Sequence, residues 1–123
     1  MTPPIQVQIK THYIEEQSEP EEPRFVYGYT ITLLNQGEEP ARLISRHWII
    51  TDAEGAVQEV QGMGVVGEQP RLDPGERYTY TSGVVLQTET GTMTGSYQML
   101  TDEGVKFDAQ IPEFALLPPH ALH

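Results

Sequence analysis

Apolar and polar residues alternate along most of this chain. Ile5, Val7, Ile9 and Tyr13 are separated by Gln6, Gln8, Lys10 and His12, the period-two pattern of a half-buried strand. Phe25, Tyr27, Tyr29, Ile31 and Leu33 repeat it in a longer strand with an aromatic inner face. Over residues 43–52 the alternation places Ile44, Arg46, Trp48, Ile50 and Asp52 on one face and His47 on the other. Val57 and Val60 mark a weaker strand. Three clear ones follow, carried by Tyr78, Tyr80, Ser82, Val84 and Leu86, by Met93, Gly95, Tyr97 and Met99, and by Val105, Phe107, Ala109 and Ile111. Pro112 is expected to bend or end the last, with Phe114 and Leu116 continuing along an edge. No window carries an apolar stripe at helical spacing.

The segments between these runs have turn chemistry. Asn35-Gln36-Gly37 supplies turn chemistry, and Asp52-Ala53-Glu54-Gly55, Asp73-Pro74-Gly75 and Asp102-Glu103-Gly104 place Asp where turns open and glycine where a positive φ is wanted. Residues 15–23 hold five glutamates and two prolines with nothing to bury, which predicts a solvated acidic loop. Residues 118–123 read as a flexible tail, whose two histidines offer at most an adventitious metal contact. The expected fold is all-β: one domain over residues 1–123, an antiparallel β-sandwich of about seven strands with immunoglobulin or fibronectin type III character.

Composition narrows the function classes. The 123 residues suffice for one core without staples, and Cys 0 excludes disulfides and thiolate metal sites. A net charge of −11 repels nucleic acid and anionic membrane surfaces. Neither a basic leader nor an apolar run of about 18 residues is present, so a soluble, cytoplasmic protein is expected. Four scattered histidines lack metal-ligand spacing, and no cofactor is implied. No Ser placed near a His, Cys nucleophile or Gly-Lys-Ser/Thr motif assembles a catalytic constellation, so no catalytic residue is assigned.

One stretch does more than alternate. Gly62, Gly64 and Gly67 stand in Gly-x-Gly-x-x-Gly spacing within residues 61–76. In a dinucleotide fold that spacing joins a strand to a helix whose N-terminus holds pyrophosphate. Here Gln69-Pro70 and Asp73-Pro74-Gly75 interrupt the region, and period-two alternation follows, which excludes that reading. Two remain. Either the glycines permit a bulge or crossover anchored by Val65 and Val66 in the core, or their N–H groups form an anion nest assisted by Arg71 or Arg46. Arg46 has its own alternative, covering the neighbouring Trp48 with its stem and guanidinium.

Read together, residues 46–52, 60–70, 72–76, 80–83 and 91–97, with the ending Ile111-Pro112-Glu113-Phe114, closely resemble the bacterial ApaG (CorD) family over nearly the whole chain. The resemblance implies a fibronectin type III-like sandwich associated with cobalt tolerance and magnesium efflux. It also implies a pyrophosphate-binding role for Gly62, Gly64 and Gly67, and a use as a protein-interaction module. The leading expectation is a non-enzymatic binding module with an unidentified protein partner and a phosphate or pyrophosphate ligand. The alternative is a metal-assisted phosphate or nucleotide hydrolase, with Asp52 or Asp102 holding Mg²⁺. Homodimerisation through an exposed sheet edge is compatible with the fold.

Overall fold

The computed structural model describes residues 4–122. Its strands are β1 (Ile5–Tyr13), β2 (Phe25–Asn35), β3 (Ala41–Asp52), β4 (Val57–Met63), β5 (Arg71–Leu72), β6 (Arg77–Leu86), β7 (Gly91–Thr101) and β8 (Lys106–Leu116). A sheet ordered β1-β2-β6 faces one ordered β4-β3-β7-β8, with β5 pairing to β3, and every pairing is antiparallel. This is the expected sandwich: the seven strands read from alternation plus the two-residue β5. Among the described residues, no helix is long and apolar enough to cross a membrane.

Alternation becomes burial because inner-face residues of both sheets meet in one layer. Tyr27, Ile31 and Leu33 of β2 are fully buried against Leu43, Trp48, Met93 and Tyr97 of the facing sheet. Trp48 is the hub, meeting Tyr29, Phe114 and Tyr97 edge-on at ring-centroid distances of 5.3, 5.9 and 6.3 Å. Buried Asn35 stitches the end of β2 to β5, its Nδ2 donating to the carbonyls of Glu39 (2.8 Å) and Leu72 (2.9 Å). Among the expected turns, Gly55, Gly75 and Gly104 all adopt positive φ.

Two local expectations change, and one of two alternatives is decided. A β-bulge between Leu43 and Ser45 shifts the register of β3, so Leu43 is fully buried and Ile44 leaves the face assigned to it. Pro112 bends β8 without ending it, and Phe114 and Leu116 continue along the edge as expected. The strand runs through it on the outer edge of its sheet, and a second register shift, opposite Met93 and Gly95, absorbs the missing donor. In the tail, Pro119–Leu122 forms a 3₁₀ turn with His120 Nε2 3.3 Å from a Glu89 carboxylate oxygen; His123 lies outside the described residues, as do Met1, Thr2 and Pro3.

Burial of hydroxyls ties this core to pH. Desolvation pushes Tyr27 up to about 12 from an ordinary 10.0, with nearby Tyr13 and Glu89 adding to it. Desolvation also raises Tyr80 and Tyr97, whose hydroxyls lie 2.5 Å apart. The folded state therefore keeps protons that the unfolded chain releases near pH 10. Stability is unaffected below that value and falls as pH climbs from about 10 to 12. In an alkaline titration, tyrosinate absorbance from these three residues is expected to rise together with loss of β circular dichroism rather than before it.

Candidate functional site

The glycine stretch folds as a hairpin set into the edge of β3. β4 pairs with β3 from Thr51 back to Ser45, and β5 pairs with it at Ala41 and Arg42. Residues 64–70 leave the edge between these pairings, where the β3 bulge lies. Leu43 donates to the carbonyl of Pro70 (2.9 Å), and the carbonyl of Ile44 accepts from Gly64 N–H (2.8 Å) and Gln69 Nε2 (2.9 Å). At the tip Val65 and Glu68 exchange both backbone bonds, at 2.8 and 2.9 Å, around Val66 (φ 48) and Gly67 (φ 79). Two successive positive φ values define a type I′ turn.

Each glycine has its own physical reason. Gly62 faces Arg46 across the ladder, and a Cβ there would lie 2.7 Å from Nη1 and 2.9 Å from Cζ of that guanidinium. Gly64 has φ 65, and a Cβ would run into the carbonyl oxygen of Glu68. Gly67 supplies the left-handed second position of the turn in open space. The nest expected from Gly62, Gly64 and Gly67 together is not the observed arrangement. Gly64 N–H is used by Ile44, Val65 and Glu68 bond each other, and the tip amides of Val66 and Gly67 have no partner among the described residues. The expected pair of core anchors is halved as well: Val65 is 1 % exposed, but Val66 is 64 % exposed.

Arg46 does not stack on Trp48. It reaches across to β4, where its Nη1 donates to the carbonyls of Gly64 (2.9 Å) and Met63 (3.2 Å). The side chain is partly buried, and no carboxylate lies within 4 Å of it among the described residues. Arg71 is placed elsewhere. Its guanidinium grips Asp102 at 2.5 and 3.0 Å and Asp73 at 2.8 Å, so it is neutralised and does not join the hairpin. That hydrogen bond to Arg71 holds the Asp102 carboxyl below its usual range. Asp52 is likewise engaged, its Oδ1 accepting the amides of Glu54 and Ala56 in its own turn.

His47 pairs with Glu59 at 2.9 Å on the outer face of β3 and β4. Among the described residues, no three His, Cys, Asp or Glu side chains lie together in a way that could hold a metal ion. The candidate site is therefore Arg46 beneath the hairpin, with exposed Met63 (67 %) and Val66 flanking it. Of the residues singled out from sequence, the fold brings Arg46 and the glycines together. Sequence reading missed Met63 and Val66, because Val-Gly is not a hairpin signature and Met63 reads as another apolar position in a strand.

The profile of the ApaG domain matches residues 15–101. Proteins called ApaG from Pseudomonas aeruginosa and Dechloromonas aromatica are 59 % and 57 % identical over 119 residues, covering 97 % of this chain and 94 % of each relative. The X-ray structure of the structural-genomics target SoR45 superposes with a TM-score of 0.92 at 52 % identity, covering 98 % of this chain and 91 % of that one. A Bordetella pertussis protein named ApaA superposes at 0.91 with 49 % identity, covering 94 % of both chains.

Proposed function

The chain belongs to the ApaG-domain family, and from that premise we propose that it is a non-catalytic binding module whose recognition end is the 63–68 hairpin with Arg46. The observation that carries this reading is Val66, a β-branched residue held at φ 48 with its side chain in solvent. Such a conformation costs on the order of 1–3 kcal/mol and brings the fold no buried contact. An exposed apolar tip kept at that cost, beside exposed Met63, supports a protein partner.

Beneath the tip, Arg46 and the free amides of Val66 and Gly67 favour a phosphate or pyrophosphate group on, or alongside, that partner. The resting state of Asp52 and Asp102 argues for binding over hydrolysis, since both carboxylates already serve structural bonds. A role in cobalt tolerance or magnesium efflux would then be indirect, through the partner.

Val66→Asn tests the reading. It creates the Asn-Gly pair that type I′ turns prefer, so the variant is expected to gain about 1 kcal/mol of stability while losing partner capture. Pull-downs from phosphoprotein-enriched extract would compare wild type with Val66→Asn. Recovery of the same proteins by both would overturn the assignment of the hairpin as the recognition surface.

A further inference from the structure

Edge strands β4 and β6 flank an opening into the sandwich. A cleft of about 380 Å³ lies there, lined by Tyr29, Arg46, Trp48, Val60, Ser82 and Val84 among others. A lobe of about 310 Å³ adjoins it toward the hairpin, sharing Tyr29, Arg46 and Ser82 and reaching Tyr80. The size suits a small molecule.

Uncommitted hydrogen-bond donors collect around this space. Trp48 is 2 % exposed, and its indole Nε1, itself closed off from the open cleft, has no acceptor among the described residues, so the cleft meets Trp48 through its ring. Buried N–H groups are rarely left in that state. Arg46 commits Nη1 to two backbone carbonyls, while its Nε and Nη2 make no bond among the described residues. One of the Tyr80 and Tyr97 hydroxyls donates to the other, and the proton of the accepting hydroxyl has no acceptor among the described residues; of the two, only Tyr80 lines the lobe. Ser82 and Gln58 also line the cleft and can donate or accept.

A donor-rich pocket calls for an acceptor, and a half-buried guanidinium without a counter-charge calls for an anion. Only one positive charge is present, in a chain of net charge −11, so a monoanion suits the cleft better than a phosphate dianion. The remaining walls are the rings of Tyr29 and Trp48 with Ile50, Val60 and Val84, which suit a flat apolar body.

We propose that this inter-sheet cleft binds a small carboxylate with a planar apolar body, its carboxylate held by Arg46 and the neighbouring donors and its body against Tyr29 and Trp48. The site goes beyond the hairpin's contact with a protein, though it shares Arg46 with that reading and its lobe reaches Val66 and Gly67.

Trp48 is the only tryptophan, so intrinsic fluorescence reports on this cleft directly. Benzoate is expected to give a saturable change in the intact protein, and benzyl alcohol, of the same shape without the charge, to bind at least about tenfold more weakly. Arg46→Met should weaken benzoate by about tenfold or more, and Trp48→Phe, followed by amide shifts, by a few-fold. If Arg46→Met does not fold, Arg46→Lys keeps the charge but loses the planar fork, and weaker benzoate binding is again expected. The proposal is overturned by equal responses to benzoate and benzyl alcohol, by unchanged affinity in Arg46→Lys, by inorganic phosphate matching benzoate, or by no saturable change up to about 20 mM. Val66→Asn leaves Arg46 and the walls of the main cleft in place, so it is expected to lose partner capture while binding benzoate like wild type; loss of benzoate binding along with capture would overturn the cleft as a separate site.

Discussion

Gly95→Val is expected to be the most damaging single substitution in this fold. Gly95 of β7 lies opposite Trp48 of β3, next to the register shift at Met93. A Cβ there would run into the carbonyl oxygen of His47 and lie 3.1 Å from its carbonyl carbon and 3.2 Å from Trp48 Cα. These atoms belong to the backbone of a central strand, so they cannot move aside as a side chain would. Overpacking usually costs 1–3 kcal/mol, and here about 3 kcal/mol or more is expected, a large part of a domain's 5–15 kcal/mol. A thermal melt should drop by roughly 10 °C or more. The tight packing about Trp48 would be disproved by a Gly95→Val variant that melts with wild type.

Gly64→Val is expected to come second, and it separates two accounts of the glycine spacing. If the three glycines cradled an anion as a set, substitutions at 64 and 67 would affect binding alike and stability little. The hairpin geometry predicts a strong asymmetry. At Gly64 the positive φ and the collision with Glu68 together should cost about 3 kcal/mol and detach the turn from Ile44. At Gly67 nothing lies within 4 Å, so Gly67→Asn, a residue that tolerates the left-handed region, should cost well under about 1 kcal/mol. Paired urea melts of the two variants decide the matter, and equal losses would contradict the hairpin account.

Local alternation carried the fold. The odd positions from Phe25 to Leu33 read as buried because a two-sided strand in a sandwich has no other use for that pattern, and all five are buried. Alternation could not show where the register slips. Nothing in Leu43-Ile44-Ser45 announces a bulge, since the slip is imposed by how β3 pairs with β7. β5 escaped notice because two residues cannot display a period, and Asn35, whose side chain meets Leu72 37 positions away, reads as an ordinary turn residue.

The site was half legible for a related reason. Sequence spacing brings Gly62, Gly64 and Gly67 together within one hairpin, and ladder register sets Gly62 against Arg46. Arg71 looked equally close in sequence, but its partner Asp102 is 31 residues on, and only the tertiary fold reveals that its charge is already satisfied. The left-handed Val66 was illegible because strand-forming residues give no local warning of positive φ.

The most direct test of the recognition end is an amide-shift titration of isotope-labelled protein with pyrophosphate, with Arg46→Met and Arg71→Met in parallel. The account predicts saturable shifts centred on Val66 and Gly67, abolished by Arg46→Met and unchanged by Arg71→Met. Shifts centred on Arg71 and Asp102, or none at the hairpin with millimolar ligand, would contradict it.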